Sequence, residues 1–135
     1  MYENTYAYTA ADGTCAYDES IASPALAASH TDVTPSDATA MKTAMVQQPL
    51  SISIEADQWC FQLYSSGVFN NTNCGTTLDH AVTAVGYGVE SGQEYWLVKN
   101  SWGTGWGEAG YIKFAIVDGD GMCGCQMGPL YPTLV

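Results

Sequence analysis

Arginine is absent from the 135 residues, and lysine occurs three times, at Lys42, Lys99 and Lys113, against 14 aspartates and glutamates, for a net charge of −11. A chain so poor in cations repels phosphate backbones and anionic lipid, which argues against nucleic acid and against polybasic membrane attachment. No apolar run approaches the ~18 residues that a membrane-spanning helix needs. Met1 is followed by Tyr2-Glu3-Asn4-Thr5, without the basic and apolar regions of an export signal. Charge of either sign is scarce, at 13% of residues, while 47% are apolar and nine tyrosines and four tryptophans are present. That is the composition of a packed core, not of an acidic disordered tail, and the length allows one domain.

Five cysteines, with no close pairs repeated at zinc-finger spacing, point to a secreted or organellar chain that carries disulfides. Asn70-Asn71-Thr72 is a formal N-glycosylation sequon, so Asn70 is a glycosylation candidate. An exported composition without an export signal raises the expectation that sequence preceding Met1 is missing.

The first 35 residues, rich in Ala, Ser, Thr, Tyr and Asp, read as extended segments joined by turns, with Asp12-Gly13-Thr14 as a turn signal. Met41, Ala44 and Met45 then recur at helical spacing, predicting a short helix over about 36–47, with Thr34 or Ser36 as N-cap, Asp37 in the first turn, and a stop before Pro49. Leu50, Ile52 and Ile54 alternate with Ser51, Ser53 and Glu55, the pattern of a half-buried strand. A short helix or turn is expected over about 57–64, and Gly67-Val68-Phe69 reads as a short extended piece. The second half reads as β throughout: strands over about 81–87, 94–100 and 110–117, turns at Ser91-Gly92-Gln93 and Asp118-Gly119-Asp120-Gly121, and a glycine-dense loop from Gly103 to Gly107. Such spacing predicts an antiparallel sheet or barrel.

Two polar residues occupy strand ends. His80 opens the 81–87 strand and Asn100 closes the 94–100 strand, so a hairpin joining them brings the two side chains together. An Asn carbonyl that accepts from one imidazole nitrogen fixes the tautomer and leaves the other nitrogen to face a nucleophile. Trp102 is placed to cover that bond from water. The same spacing also fits a partly buried histidine satisfied by a neighbouring amide.

The surrounding words are more specific. Leu78-Asp79-His80-Ala81-Val82, Gly86-Tyr87-Gly88, and above all Tyr95-Trp96-Leu97-Val98-Lys99-Asn100-Ser101-Trp102-Gly103-Thr104-Gly105-Trp106-Gly107-Glu108-Ala109-Gly110-Tyr111 closely resemble the His and Asn regions of papain-like cysteine proteases. Gln48-Pro49, Glu55-Ala56, Gln58, Phe61-Gln62-Leu63-Tyr64 and Gly67-Val68-Phe69 resemble the family's central stretch, Tyr8 and Asp12-Gly13-Thr14-Cys15 the segment before it, and Tyr131-Pro132 its C-terminus. The resemblance implies an α+β, mostly β fold: the antiparallel, barrel-like C-terminal lobe of the two-lobed papain architecture, with residues 1–35 as crossover from the other lobe and 36–135 as the β-rich lobe. It implies His80 as catalytic histidine, Asn100 as the residue that orients it, Trp102 as shield and Trp106 as an aromatic wall on the primed side of the cleft. Leu78, Asp79 and Ala81 would flank the substrate groove, and Ser53 and Gly128 would lie near the pocket for the second residue on the acyl side. A glycine there leaves the floor open and favours bulky apolar side chains. Cys74 and Cys123 fall where the family has a disulfide, Cys15 resembles a half-cystine whose partner lies elsewhere, and Cys60 and Cys125 read as buried thiols or as a further bridge to each other.

The family's chemistry needs a thiolate, and its motif C-G-[SA]-C-[WY], roughly 130–150 residues before the His and Asn, is not in this sequence. Counting back from His80 places it about fifty or more residues before Met1. The expectation is therefore the C-terminal part of a peptidase acting on peptide or protein substrates by a Cys-His-Asn mechanism, inactive without its N-terminal lobe, with a propeptide or protein inhibitors as further partners and a lysosomal, vacuolar or extracellular location. The rival is a stand-alone, non-catalytic binding or regulatory module. No metal or cofactor is expected: His30 and His80 lie far apart, Cys123-Gly124-Cys125 is poor ligand spacing, and the 118–121 turn lacks the later glutamate of a calcium loop and reads more simply as a hairpin tip.

Overall fold

The computed structural model describes residues 2, 4–21 and 27–134. They fall into two units, 1–29 with 132–135 and 30–131. The first unit is largely irregular. Tyr6 Oη accepts from the Ala16 amide at 3.2 Å, a short 3-10 turn runs over Glu19–Ile21, and the Ser29 and Thr133 hydroxyls bond to each other. Its bend falls at Ala10 and Ala11, two residues before the expected Asp12-Gly13-Thr14 turn, with Ala10 at φ 53°.

The regular elements are strands β1 (Ala27–Asp32), β2 (Leu50–Ile54), β3 (Val68–Phe69), β4 (His80–Glu90), β5 (Gln93–Lys99), β6 (Tyr111–Ala115) and β7 (Leu130–Leu134), with helices α1 (Ala38–Met45) and α2 (Trp59–Gln62). The sheet order is β1-β7-β2-β4-β5-β6-β3, an open arrangement with β1 and β3 at its edges. The α+β, mostly β class holds. The sheet is antiparallel along β7-β2-β4-β5-β6, and β3 pairs parallel with β6.

Helix α1 buries Met41 and Met45, one turn apart, on the stripe its spacing predicts. Its N-cap is Asp37, not Thr34 or Ser36: Asp37 Oδ1 accepts from the Ala40 amide at 2.9 Å. Ser36 is occupied elsewhere. Its amide donates to Gln126 O at 2.7 Å, its hydroxyl donates to Asp120 Oδ1 at 2.7 Å, and its φ of 55° is left-handed. In β2 the alternation is complete, with Leu50, Ile52 and Ile54 buried and Ser51 and Ser53 exposed. Val82 and Ala84, Trp96 and Val98, and Ile112 and Phe114 supply the matching faces of β4, β5 and β6. Each fully buried Leu, Ile or Phe contributes about 1.5–3 kcal/mol, which is why this face sets the register of three ladders.

Two features interrupt regular pairing. The β4–β5 hairpin closes through Ser91-Gly92, both at positive φ (52° and 83°), as a tight two-residue turn requires, and Gln93 already pairs with Glu90. A β-bulge at Val85 then shifts the register: Gly86 faces Leu97, but Ala84 faces Val98. Asp118-Gly119-Asp120-Gly121 is not a hairpin tip. The chain passes from β6 through a 3-10 turn at Met122–Gly124 to β7, which pairs with β2. Buried Gln126 fastens this crossing: its Oε1 accepts from Trp96 Nε1 at 2.9 Å, and its Nε2 donates to Val117 O and Gly119 O at 3.0 and 2.7 Å. Every polar atom of that side chain is thereby satisfied.

Candidate active site

His80 is the first residue of β4 and pairs with Ile54, the last residue of β2. Asn100 follows directly on β5. The bulge decides whether they meet. An unbroken hairpin would set Asn100 opposite Thr83, on the face of Ala81. With Val85 as the extra residue, Lys99 faces Thr83, so Asn100 comes level with Val82 and shares the face of His80.

The two side chains meet at 2.9 Å, His80 Nε2 to Asn100 Oδ1. Asn100 is buried, and its Oδ1 also accepts from the Ser101 amide at 2.7 Å. That second bond fixes which end of the amide faces the histidine, since the flipped amide would set N–H against N–H. Oδ1 therefore faces Nε2, so Nε2 carries the proton and, in the neutral ring, Nδ1 keeps the lone pair. Asn100 Nδ2 is buried without a hydrogen-bond partner among the described residues. The Asn100 amide donates to Gly110 O at 2.9 Å, closing the base of the 101–110 loop.

That loop carries two tryptophans. The Trp102 ring lies 5.2 Å from the His80 ring, with 30° between planes, and packs edge-on against Phe61 at 5.3 Å and Trp106 at 5.5 Å. Trp106 leans on Phe61 and Tyr64 at 5.1 and 5.6 Å and donates from Nε1 to Gln62 O at 3.0 Å. The loop is clamped from behind by Glu108, which accepts from the Gly67 amide at 2.7 Å and from Lys113 Nζ at 2.8 Å, Lys113 also reaching Glu90 at 2.5 Å. The Lys113 bond holds the Glu108 carboxyl below its usual range, and the same bond raises Lys113. Burial raises the Tyr64 phenol, whose hydroxyl donates to Gly67 O at 2.7 Å. Gly107, at φ 55°, lies where a Cβ would stand 2.5 Å from Tyr111 O.

The expected groove residues lie alongside. Ser53 and Ala81 face each other across β2 and β4, both exposed. Ser51 pairs with Leu130, and continuing that register brings Gly128 level with Ser53. A Cβ on Gly128 would meet nothing within 4 Å. Leu78 is exposed, whereas Asp79 is engaged with the backbone: its Oδ1 accepts from the Ala56 amide at 2.7 Å, and its own amide donates to Ile54 O at 3.0 Å. Asn70 is exposed just beyond the edge strand β3.

Cys74 and Cys123 are bridged, with Cα atoms 4.9 Å apart. Cys60 and Cys125 are separate buried thiols and Cys15 is an exposed one. Burial pushes the Cys125 thiol up to about 12, the reverse of what a nucleophile needs. Among the described residues, no three His, Cys, Asp or Glu side chains are grouped to hold a metal ion, and no helix is long and apolar enough to cross a membrane. Ser101 as the amide lock, the Glu108–Lys113 clamp and buried Glu55 went unread in the sequence. Glu108 lies inside the most specific word, but nothing in that word tells what its carboxylate touches.

A mostly β sheet with a His–Asn pair at its rim, roofed by tryptophan, defines the class, and comparison with known proteins gives the family. The model of the papain family of cysteine proteases matches residues 1–133. The chain is 49% identical over 132 residues to "Probable cysteine protease RD21B" of Arabidopsis thaliana, covering 96% of this chain and 28% of that protein. It is 47% identical over 134 residues to "Thiol protease SEN102" of Hemerocallis sp., covering 96% and 37%. The bromelain protease from Ananas comosus, solved in complex with the E64 inhibitor, superposes with a TM-score of 0.88 at 44% identity, covering 98% of this chain and 62% of that one. The chain belongs to the papain family of cysteine proteases, and it spans about a third of the length of the curated relatives it matches.

Proposed function

We propose that this chain supplies the histidine and asparagine of a Cys-His-Asn endopeptidase and hydrolyses peptide bonds when a segment bearing C-G-[SA]-C-[WY] completes the site. The observation that carries this reading is the His80 Nε2–Asn100 Oδ1 bond at 2.9 Å, with the amide fixed by Ser101, since it leaves Nδ1 as the nitrogen that takes a proton from an incoming thiol. In this mechanism the thiolate attacks the scissile carbonyl, His80 delivers the proton to the leaving amine, and His80 then deprotonates the water that releases the acyl group. Asn100 holds the ring in register throughout, and Trp102 keeps water from their bond. Trp106 lines the leaving side, Leu78, Asp79 and Ala81 flank the histidine along the substrate groove, and Ser53 and Gly128 border the pocket for the second residue on the acyl side, with apolar side chains preferred over the open Gly128 position.

The nucleophile comes from outside this chain. Two observations support that: two cysteines are spent on a disulfide, and Cys125 is held as a neutral buried thiol. A propeptide and protein inhibitors are the further partners of this reading, and the disulfide favours an oxidising location such as the vacuole, lysosome or extracellular space. The experiment is reconstitution. The 135-residue chain is mixed or co-expressed with a papain-family N-terminal half and assayed on a fluorogenic peptide with an apolar residue second from the cleaved bond. Turnover that needs both pieces, and that His80→Ala and iodoacetamide each abolish, is expected. Turnover by the chain alone, or none from the reassembled pair, refutes the reading.

A further inference from the structure

Among the described residues Glu55 is the one charged side chain in the core, 6% exposed, and nothing said so far of the site uses it. A carboxylate taken out of water is costly unless its oxygens are satisfied, and its partners here are neutral donors, not a lysine. Oε2 accepts from the Thr77 amide at 2.6 Å and Oε1 from Gln58 Nε2 at 2.8 Å. The contact is built from both sides. Gly75 has no side chain at the point where a Cβ would stand 2.6 Å from Oε2, so any other residue there would displace the carboxylate.

What this contact holds is the approach to His80. The β2–β4 ladder ends at the Ile54–His80 pair, and beyond it one backbone bond and then two side chains hold the chain. Asp79 N donates to Ile54 O, the Ala56 amide donates to Asp79 Oδ1, and the Thr77 amide donates to Glu55 Oε2. The segment from Cys74 to Asp79 is thus pinned by the disulfide at its start, by Asp79 at its end, and by Glu55 in the middle. A glutamine at 55 would be cheaper to bury, but it has one acceptor atom where two donors converge. The carboxylate is the group that meets both.

We propose that Glu55 is a positioning residue for His80, holding the 75–79 segment through Thr77 so that the imidazole enters β4 in register with Asn100. This rests on His80 being the proton-handling residue of the site, but its test needs no turnover. The full chain, labelled with 15N, is compared with Glu55→Gln and Gly75→Ala. The first removes one acceptor at nearly constant shape. The second leaves the carboxylate intact and crowds it away from Thr77.

The readout is the His80 ring: the 15N shifts that report the Nε2–H tautomer, and the exchange rate of that proton, alongside urea midpoints. Both variants are expected to accelerate Nε2–H exchange roughly tenfold and to move its 15N shift in the same direction. A loss of stability with the His80 signals unchanged overturns the proposal. Native-state exchange on the unsubstituted chain decides the matter if neither variant folds. Thr77 N–H and His80 Nε2–H then open together, with the same dependence on urea, or the proposal fails. Coupled signals in a chain that cannot be reconstituted into a peptidase would leave the positioning role standing and refute the function.

Discussion

Removing the Cys74–Cys123 bridge should cost this chain much of its stability, and the size follows from where the bridge sits. The two residues are 49 positions apart, so the bond closes a loop that contains β4, β5 and β6. In the chain-entropy account, a loop of that length removes about 4 kcal/mol of freedom from the unfolded ensemble. Whole domains are stable by about 5–15 kcal/mol, so a single bond supplies a large share. Alanine is the right replacement at both positions, because both are buried and a serine hydroxyl would add an unpaired group. With a urea slope of about 2 kcal/mol/M, the Cys74→Ala/Cys123→Ala midpoint should fall by about 2 M. The slope itself should rise, because an uncrosslinked chain exposes more surface on unfolding. Tryptophan fluorescence through a urea series measures both, and dithiothreitol-reduced native chain gives the same comparison without mutation. A midpoint that moves by less than about 0.5 M would show that the core holds this loop without help, and the entropy argument would fall.

Thiol chemistry and pH test two further parts of the structure. Of the three unbridged cysteines, Cys15 alone is exposed, so a thiol reagent at pH 8 should label one site quickly and the other two only on unfolding. Labelling of Cys125 as fast as Cys15 would contradict the burial that pushes its thiol up to about 12. The clamp behind the tryptophan loop should be acid-sensitive. Glu108 titrates below its ordinary 4.5 in the fold because of the Lys113 bond, so its contribution is fully present above that value and lost as pH falls through the lowered one. Glu108→Gln should therefore be less stable than the native chain near neutrality and converge with it in acid. A gap that stays constant from pH 7 to pH 3 would argue against the ion pair.

Much of this fold is legible from side-chain periodicity because burial is one-sided. The Leu50, Ile52, Ile54 alternation and the Met41–Met45 spacing each correspond to an element. What escapes is pairing decided at a distance. β1 reads Ala-Ala-Ser-His-Thr-Asp, is exposed at every position, and lies in the sheet only as the neighbour of β7. Asp118-Gly119-Asp120-Gly121 has the chemistry of a hairpin tip, yet the strand waiting beside β6 is β3, from some forty residues earlier, and the next strand is needed beside β2. The helix cap moved to Asp37 because Ser36 is held by Asp120 and Gln126, contacts 84 residues and more away in sequence. The site divides along the same line. His80, Asn100 and Trp102 stand out as polar and aromatic residues at strand ends. Glu55 and Glu108 act through amides, and Glu108 also through Lys113, partners that no local pattern links to them.

The Val85 bulge bears on how genes for such a chain can change length. A codon gained or lost at the Ser91-Gly92 tip alters a solvent-facing turn. A codon lost between His80 and Gly86 can be absorbed by straightening the bulge, leaving a hairpin whose backbone pairing with β5 is, if anything, more regular. The residue level with Asn100 would still lie two positions from His80, so the imidazole would stay on the face of Asn100. The stretch from His80 to Gly86 is therefore where this hairpin can lose a single residue and keep the pair, whereas one residue inserted there would turn the imidazole to the opposite face unless the bulge widened to take it.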